Sequence, residues 1–368
     1  MDCNYKSRLC FTVMSFFTGM LLFACNNDKP DADAAFTNIT TNVTFSSFSV
    51  KNDIPIKKMG PQLGDVLDMQ VMDSFLIVST LRDSAVLQII HIPSGTVAGH
   101  LISRGKGDNE CLNIATILPT SDKNICWCYD ITLGKFLKIN VPKALSAAAY
   151  IPEKTFMLTP ATKGAKSPSW INDSTFAACS YFMNDCRYFY FNSQDSGIRK
   201  AGQLPSPGKG WPDENPKGKF SLLATAYSAN MKKHPTDDLF AVAYNVTGRM
   251  ELYEGGKLKR LIKGPESFQP IYTFKYDGES NIPVQNSKTL FSNVQLKVTE
   301  KHIYLLYSGR NEFQTCGQKI LVFDWQGNPL SMVNLNADYC SFTVEEKGNQ
   351  SLIYLINKDT GELVSTSI

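Results

Sequence analysis

Apolar residues in this chain fall in short runs, and polar or turn-forming residues separate them at close intervals. Residues 65–71 (DVLDMQV), 75–80 (FLIVST), 86–92 (VLQIIHI) and 97–103 (VAGHLIS) form the first set. Asp73-Ser74, Arg82-Asp83-Ser84 and Pro93-Ser94-Gly95 punctuate it. Runs rich in Val, Ile and Phe, bounded by Asp, Ser, Pro and Gly, predict strands joined by tight turns. Helical spacing is scarce. Four antiparallel strands in about 40 residues are the unit of a β-propeller blade.

The pattern repeats. Residues 114–117, 125–129, 135–139 and a strand near 148–151 make a second set, and 169–171, 175–181, 187–192 and 198–204 a third. A fourth comprises 224–229, 239–244, 249–254 and 257–262; a fifth comprises 294–298, 302–308, 318–325 and 329–335. Residues 340–344, 351–357 and 363–368 supply three strands only, and an orphan strand at 43–50 is expected to complete that set. The expected fold is therefore all-β: a six-bladed β-propeller of four-stranded antiparallel blades over residues 43–368, its ring closed by an N-terminal strand. A lone sheet would expose edges that invite aggregation, and radial packing buries both faces of each blade. Insertions at 204–220 and 263–290, rich in Pro and Gly, interrupt the repeats. Loops of that length in a compact domain are often functional.

The hydrophobic content of 43% over 368 residues suits a globular protein with a substantial core. There are 37 basic and 34 acidic side chains, a formal charge of +3. No basic block or arginine stripe occurs, which excludes nucleic acid as an expected partner. Of the ten cysteines, Cys126 and Cys128 share one face of a strand and cannot easily bridge. Cys179 and Cys186 flank a turn but are offset across it. Cys316 to Cys340 is the one bridge to entertain; the others read as small buried hydrophobes. No C-x₂-C pair exists, and His91, His100, His234 and His302 are scattered, so no metal site is expected.

The chain begins differently. Lys6 and Arg8 precede an apolar run over 9–24 that ends in Leu22-Phe23-Ala24-Cys25, which looks like a bacterial lipobox. A cationic start, an apolar core and a small residue at the cleavage point describe a secretory signal over 1–24. The last apolar stretch, 11–24, is shorter than the roughly 20 residues of a membrane span. The Cys25 thiol would be diacylated and become the new N-terminus, so membrane contact is expected through that lipid. Residues 25–42 read as a polar, acidic tether.

Residues Arg104-Gly105-Lys106-Gly107-Asp108-Asn109-Glu110 resemble the Gly-rich connector between blades of NHL-type propellers. Residues 303–310 (IYLLYSGR) and 320–329 (ILVFDWQGNP) resemble the late blades of TolB-like six-bladed propeller lipoproteins of gut Bacteroidota. The resemblance covers most of the chain from about residue 43, together with the leader. Lys106 stands where a small residue is more usual, and Cys111 replaces an aromatic. Asn26 occupies the position where aspartate favours inner-membrane retention, and Asp28, Asp31 and Asp33 resemble an acidic surface-export signal. The resemblance implies the fold and an outer-membrane location, periplasmic or surface-facing. It transfers little chemistry, because the family is largely without assigned activity.

Candidate ligand-binding residues are Arg104, Lys106, Trp211 and Arg310. The RGKGDNE loop offers glycine N–H groups and two cations to an anion; alternatively it is a tight crossover with φ > 0 at Gly105 and Gly107 and Glu110 accepting backbone bonds. Arg310 suits a carboxylate or sugar, or an inter-blade anchor. Trp211, with Asp213 and Glu214, resembles a carbohydrate-facing lip or a solvated loop. Asp83-Ser84-Ala85 and Asp173-Ser174-Thr175 match a short O-glycosylation pattern. Neither G-x-S-x-G nor H-E-x-x-H occurs, and no catalytic residue is assigned. The expected function is a non-catalytic binding or scaffold module, monomeric and cofactor-free, taking a glycan or an envelope protein. The alternatives are an axial-metal enzyme, lactonase- or lyase-like, and a sensory or assembly factor docking on another envelope protein.

Overall fold

The computed structural model describes residues 32–368, apart from 53, 194–197, 207–210, 213–220, 277, 279–280 and 312–315. The leader, Cys25 and the first part of the tether lie outside the described residues, as do Asp213 and Glu214.

Six antiparallel blades surround a central axis. From inside outward, blade 1 is Val66–Met72, Phe75–Thr80, Ala85–His91 and Thr96–Ser103. Blade 2 is Ile114–Pro119, Ile125–Asp130, Lys135–Asn140 and Lys154–Met157. Blade 3 is Ala165–Trp170, Thr175–Ser180, Tyr188–Asn192 and Arg199–Ala201. Blade 4 is Ala229–Lys233, Leu239–Tyr244, Arg249–Glu254 and Lys257–Lys263. Blade 5 begins with Phe291–Val298, His302–Arg310 and Gly317–Asp324. The long strand Pro329–Lys347 serves two blades: its start is the outer strand of blade 5, and its end is the inner strand of blade 6. Gln350–Asn357, Glu362–Ser367 and Lys57–Gln62 complete blade 6.

Burial explains why the strands were legible. The second strands of blades 1 to 4 are buried at every position but the first. A strand packed on both faces reads as a continuous apolar run rather than an alternation. The outer strand Arg199–Ala201 and the first half of Lys257–Lys263 are charged and mostly exposed, which blunts their edges. Six apolar clusters hold the ring, one between each pair of neighbouring blades. The cluster between blades 6 and 1 packs Tyr354, Ile356 and Leu363 against Met69, Leu76 and Val78. Between blades 2 and 3 the packing is aromatic, with Trp127 edge-on to Phe176 at 5.4 Å.

Residues 43–50 do not complete the last blade. Thr40–Asn42 runs parallel to residues 261–263 on the outer edge of blade 4, and Ser49–Lys51 runs parallel to residues 331–333 of blade 5. Between these short ladders, Val43 and Phe48 are buried in the cluster joining the two blades, where Phe48 meets Phe323 edge-on at 5.2 Å. The physical reason is composition. The segment carries two apolar anchors that fit an inter-blade groove, whereas Lys57, Lys58 and Gln62 suit a solvent-facing outermost strand.

Two expected strands are shifted along the chain, each downstream of a short helix. Residues 224–229 give way to the helix Leu222–Ala226, where Ser221 Oγ accepts from Ala224 N at 3.0 Å, and the inner strand moves to Ala229–Lys233. No strand forms at 148–151: the helix Val141–Ser146, capped by Asn140 with a proline in its first turn, precedes that stretch, and the outer strand falls at Lys154–Met157. At 222–226 the Ser221 cap outweighs β-propensity. Cys316 and Cys340 form a disulfide, and Cys111, Cys126, Cys128, Cys179 and Cys186 are buried free thiols.

Candidate functional site: the axial channel

The inner strands of neighbouring blades share no ladder, so side chains satisfy their facing edges. Asp68 Oδ2 accepts from Ile117 N at 2.8 Å, joining blades 1 and 2. Ser167 Oγ accepts from Met231 N at 3.0 Å, joining blades 3 and 4, and Asn230 Nδ2 donates to the Val294 carbonyl at 3.1 Å, joining 4 and 5. Gln295 Oε1 accepts from Phe342 N at 2.9 Å, joining blades 5 and 6. This polar girdle leaves a channel along the axis, with a waist of about 240 Å³ touched by residues of all six inner strands.

A wider mouth of about 590 Å³ opens where the inner strands begin. Its lining includes Lys166, Tyr181, Asn245, Tyr272 and Gln285. Lys166 Nζ donates to Asn245 Oδ1 at 2.8 Å and to Ser228 Oγ, and lies 5.5 Å from the Tyr181 ring centroid. The hairpin Thr273–Tyr276 and Asn281–Val284, formed within the second insertion, contributes Pro283 and Val284 to this mouth. At the opposite end, where the inner strands finish, lies a second cavity of about 400 Å³ lined by Leu118, Pro119, Trp170, Lys232, Lys233 and Pro235 among others.

Charge concentrates between the two chambers. Lys297 Nζ donates to Asp68 Oδ1 at 2.6 Å and to the Met69 carbonyl, all buried. Lys232 lines both the waist and the lower cavity. What surface it keeps faces the channel rather than bulk water, so burial pulls its ammonium down to about 8, Asp68 opposing and Lys297 reinforcing the shift. Across the waist and the second cavity, Lys166, Lys232, Lys233 and Lys297 thus stand against Asp68 and Glu300. That balance repels a metal cation, and among the described residues no group of three His, Cys, Asp or Glu converges to hold one. Asp130 is turned away from the axis, accepting from the backbone N–H groups of Leu112, Asn113, Thr132 and Leu133.

The four residues singled out in the sequence all belong to loops or strand ends on the wide-mouth side, but none lines the mouth or the waist. Arg104 donates to the carbonyls of Thr80, Asp83 and Leu112, tying blade 1 to the crossover. Lys106 is exposed nearby. The loop around it turns its carbonyls inward, where buried Lys135 Nζ donates to those of Gly107, Asp108 and Glu110. Gly105 and Gly107 do not adopt positive φ. Their lack of a side chain serves close approach instead: a Cβ on Gly105 would lie 2.0 Å from Glu110 Oε2, and Glu110 accepts from Gly107 N at 2.8 Å. Trp211 packs on Tyr227, Tyr272 and Phe274, supporting the hairpin that borders the mouth. Arg310 pairs with Asp338, and its strand partner Phe291 lines the mouth. The axial lysines escaped the sequence reading because they belong to no motif; the available signal was a lysine inside an inner-strand run, as in ANMKK and NVQLKV.

Six radial blades around a polar, open axis define a β-propeller. The model of the TolB-like six-bladed propeller-like family matches residues 66–347, and the chain belongs to that family. Among solved structures, it is similar to a protein assigned to export in Bacteroides fragilis, at 11% identity and a TM-score of 0.54, covering 90% of this chain and 99% of that one. A member of the DUF4221 family from Bacteroides vulgatus is also similar, at 11% identity and a TM-score of 0.51, covering 85% and 94%. These likenesses establish the fold alone. No curated protein matches the sequence.

Proposed function

We propose that the protein is an envelope-anchored binding propeller that takes its ligand at the wide mouth of the axial channel. The observation that carries this reading is the mouth itself: a cavity of about 590 Å³ with Lys166, Tyr181, Asn245 and Gln285 on its wall. Convergent polar groups from several blades beside aromatic surface suit a hydroxyl-rich ligand such as a glycan. Trp211 and Arg310 act on this site by holding its border, and Arg104 and Lys106 belong to the surrounding face. The leader ending at Cys25 and the acidic residues after it support a lipid anchor in the outer membrane.

A glycan array with the mature protein tests the reading. Selective binding that Tyr181→Ala abolishes, with an unchanged melting temperature, is the expected result. Binding that survives Tyr181→Ala and Gln285→Ala together places the ligand elsewhere, and no glycan binding favours docking on an envelope protein. Loss of fatty-acid labelling in Cys25→Ala checks the anchor.

A further inference from the structure

We infer that the lower cavity is a second, separate binding site, for a carboxylate carried on a cyclic, partly apolar body. Two observations carry this. The first is the cavity's polarity by depth. Its outer part is walled by residues at or beyond the ends of the inner strands, including Pro119, Trp170, Pro235 and Val298. Its inner part meets Gln70, Ser169 and Lys232, from within those strands. A half-buried indole and prolines offer flat apolar surface, and the amine waits at the inner end.

The second observation is that the Lys232 ammonium makes no hydrogen bond or ion pair among the described residues, although it lies between the waist and this cavity within the protein. The surrounding charges do not satisfy it. Asp68 is engaged by Lys297 and by Ile117 N. Lys233 donates to the His234 carbonyl, and burial lowers its pKa too, with Asp238 and Asp237 opposing. His234 Nδ1 accepts from Thr236 N and Asp237 N while Nε2 donates to the Glu300 carbonyl. Glu300 also lines the cavity, at its outer end beyond the strand Phe291–Val298. An enclosed ammonium without a counter-charge is costly, and an incoming carboxylate supplies what the fold omits.

Binding is coupled to protonation with a definite sign. The carboxylate needs Lys232 charged, so affinity is full well below pH 8, is halved near it and falls as pH rises through the free-protein value of about 8. From pH 7 to 9.5 the competent fraction drops about thirty-fold, and apparent affinity drops with it. Above pH 8 the bound anion draws a proton onto the amine, so binding takes up protons.

Calorimetry with 2-naphthoate and D-glucuronate as probes, and 2-naphthalenemethanol as the neutral counterpart, tests this on the mature protein. Expected results are binding of at least one carboxylate, at least ten-fold tighter than the alcohol, and proton uptake at pH 8.5 in buffers of differing ionisation enthalpy. Lys232→Met and Lys232→Gln should each weaken it ten-fold or more and abolish the pH dependence, and Trp170→Ala should weaken the aromatic probe. Tyr181→Ala should leave it unchanged, which separates this site from the wide mouth. Equal affinity for the alcohol, indifference to both Lys232 variants, or no carboxylate binding at pH 7 overturns the inference.

Discussion

Lys297 and Asp68 stand 229 positions apart in sequence and 2.6 Å apart in the channel. The contact links blade 5 to blade 1 across the inner strand of blade 6, so a single ion pair spans the place where the chain's two ends meet. Both side chains are buried, and Asp68 also holds Ile117 N of blade 2. One carboxylate thus ties three blades together.

Breaking that pair from one side should therefore be severe. Lys297→Met leaves a buried carboxylate with a single backbone donor, and a loss of about 3–5 kcal/mol is expected. The double variant Asp68→Asn with Lys297→Met should recover most of it, because no uncompensated charge remains. Denaturant unfolding midpoints measure both, and equal loss in the single and double variants would contradict the pairing argument.

Arg104 and Lys106, two residues apart on the same crossover, should behave oppositely. Arg104→Ala strands carbonyls of Thr80, Asp83 and Leu112, at about 1–3 kcal/mol for each that water does not reach. Lys106→Ala removes an exposed side chain and should shift stability by no more than about 0.5 kcal/mol. Thermal melts of the two variants, without ligand, distinguish an anchor from a surface cation.

The N-terminal segment should stabilise blades 4 and 5 through one side chain. Phe48→Ala empties a site at the inter-blade groove and should cost about 3–5 kcal/mol, the range for deleting a buried phenyl ring. Val50→Ala, two residues on and 47% exposed, should change little. If the two variants melt alike, the segment is laid on the surface rather than packed into it.

Much of this architecture was already written in the apolar runs. The second strands of the blades are buried on both faces, so their sequences stay apolar whatever their neighbours do, and blade number follows from counting them. Cys316 and Cys340 stood out for a similar reason, as the one pair with plausible spacing. Local signals misled where capping competed with strand propensity, at Ser221, since a cap acts through one hydrogen bond that run-counting ignores.

What the sequence by itself determined is the blade repeat and the all-β core, because each is carried by residues close together in the chain. Only the tertiary structure decided which strand completes the sixth blade, for residues 43–50 and 57–62 both precede the first blade and differ only in the groove or edge each fits. Only the tertiary structure brought Lys166, Lys232 and Asp68 to one waist and paired Asp68 with Lys297. Those side chains come from inner strands of separate blades, and their shared field exists nowhere but on the axis where the blades converge.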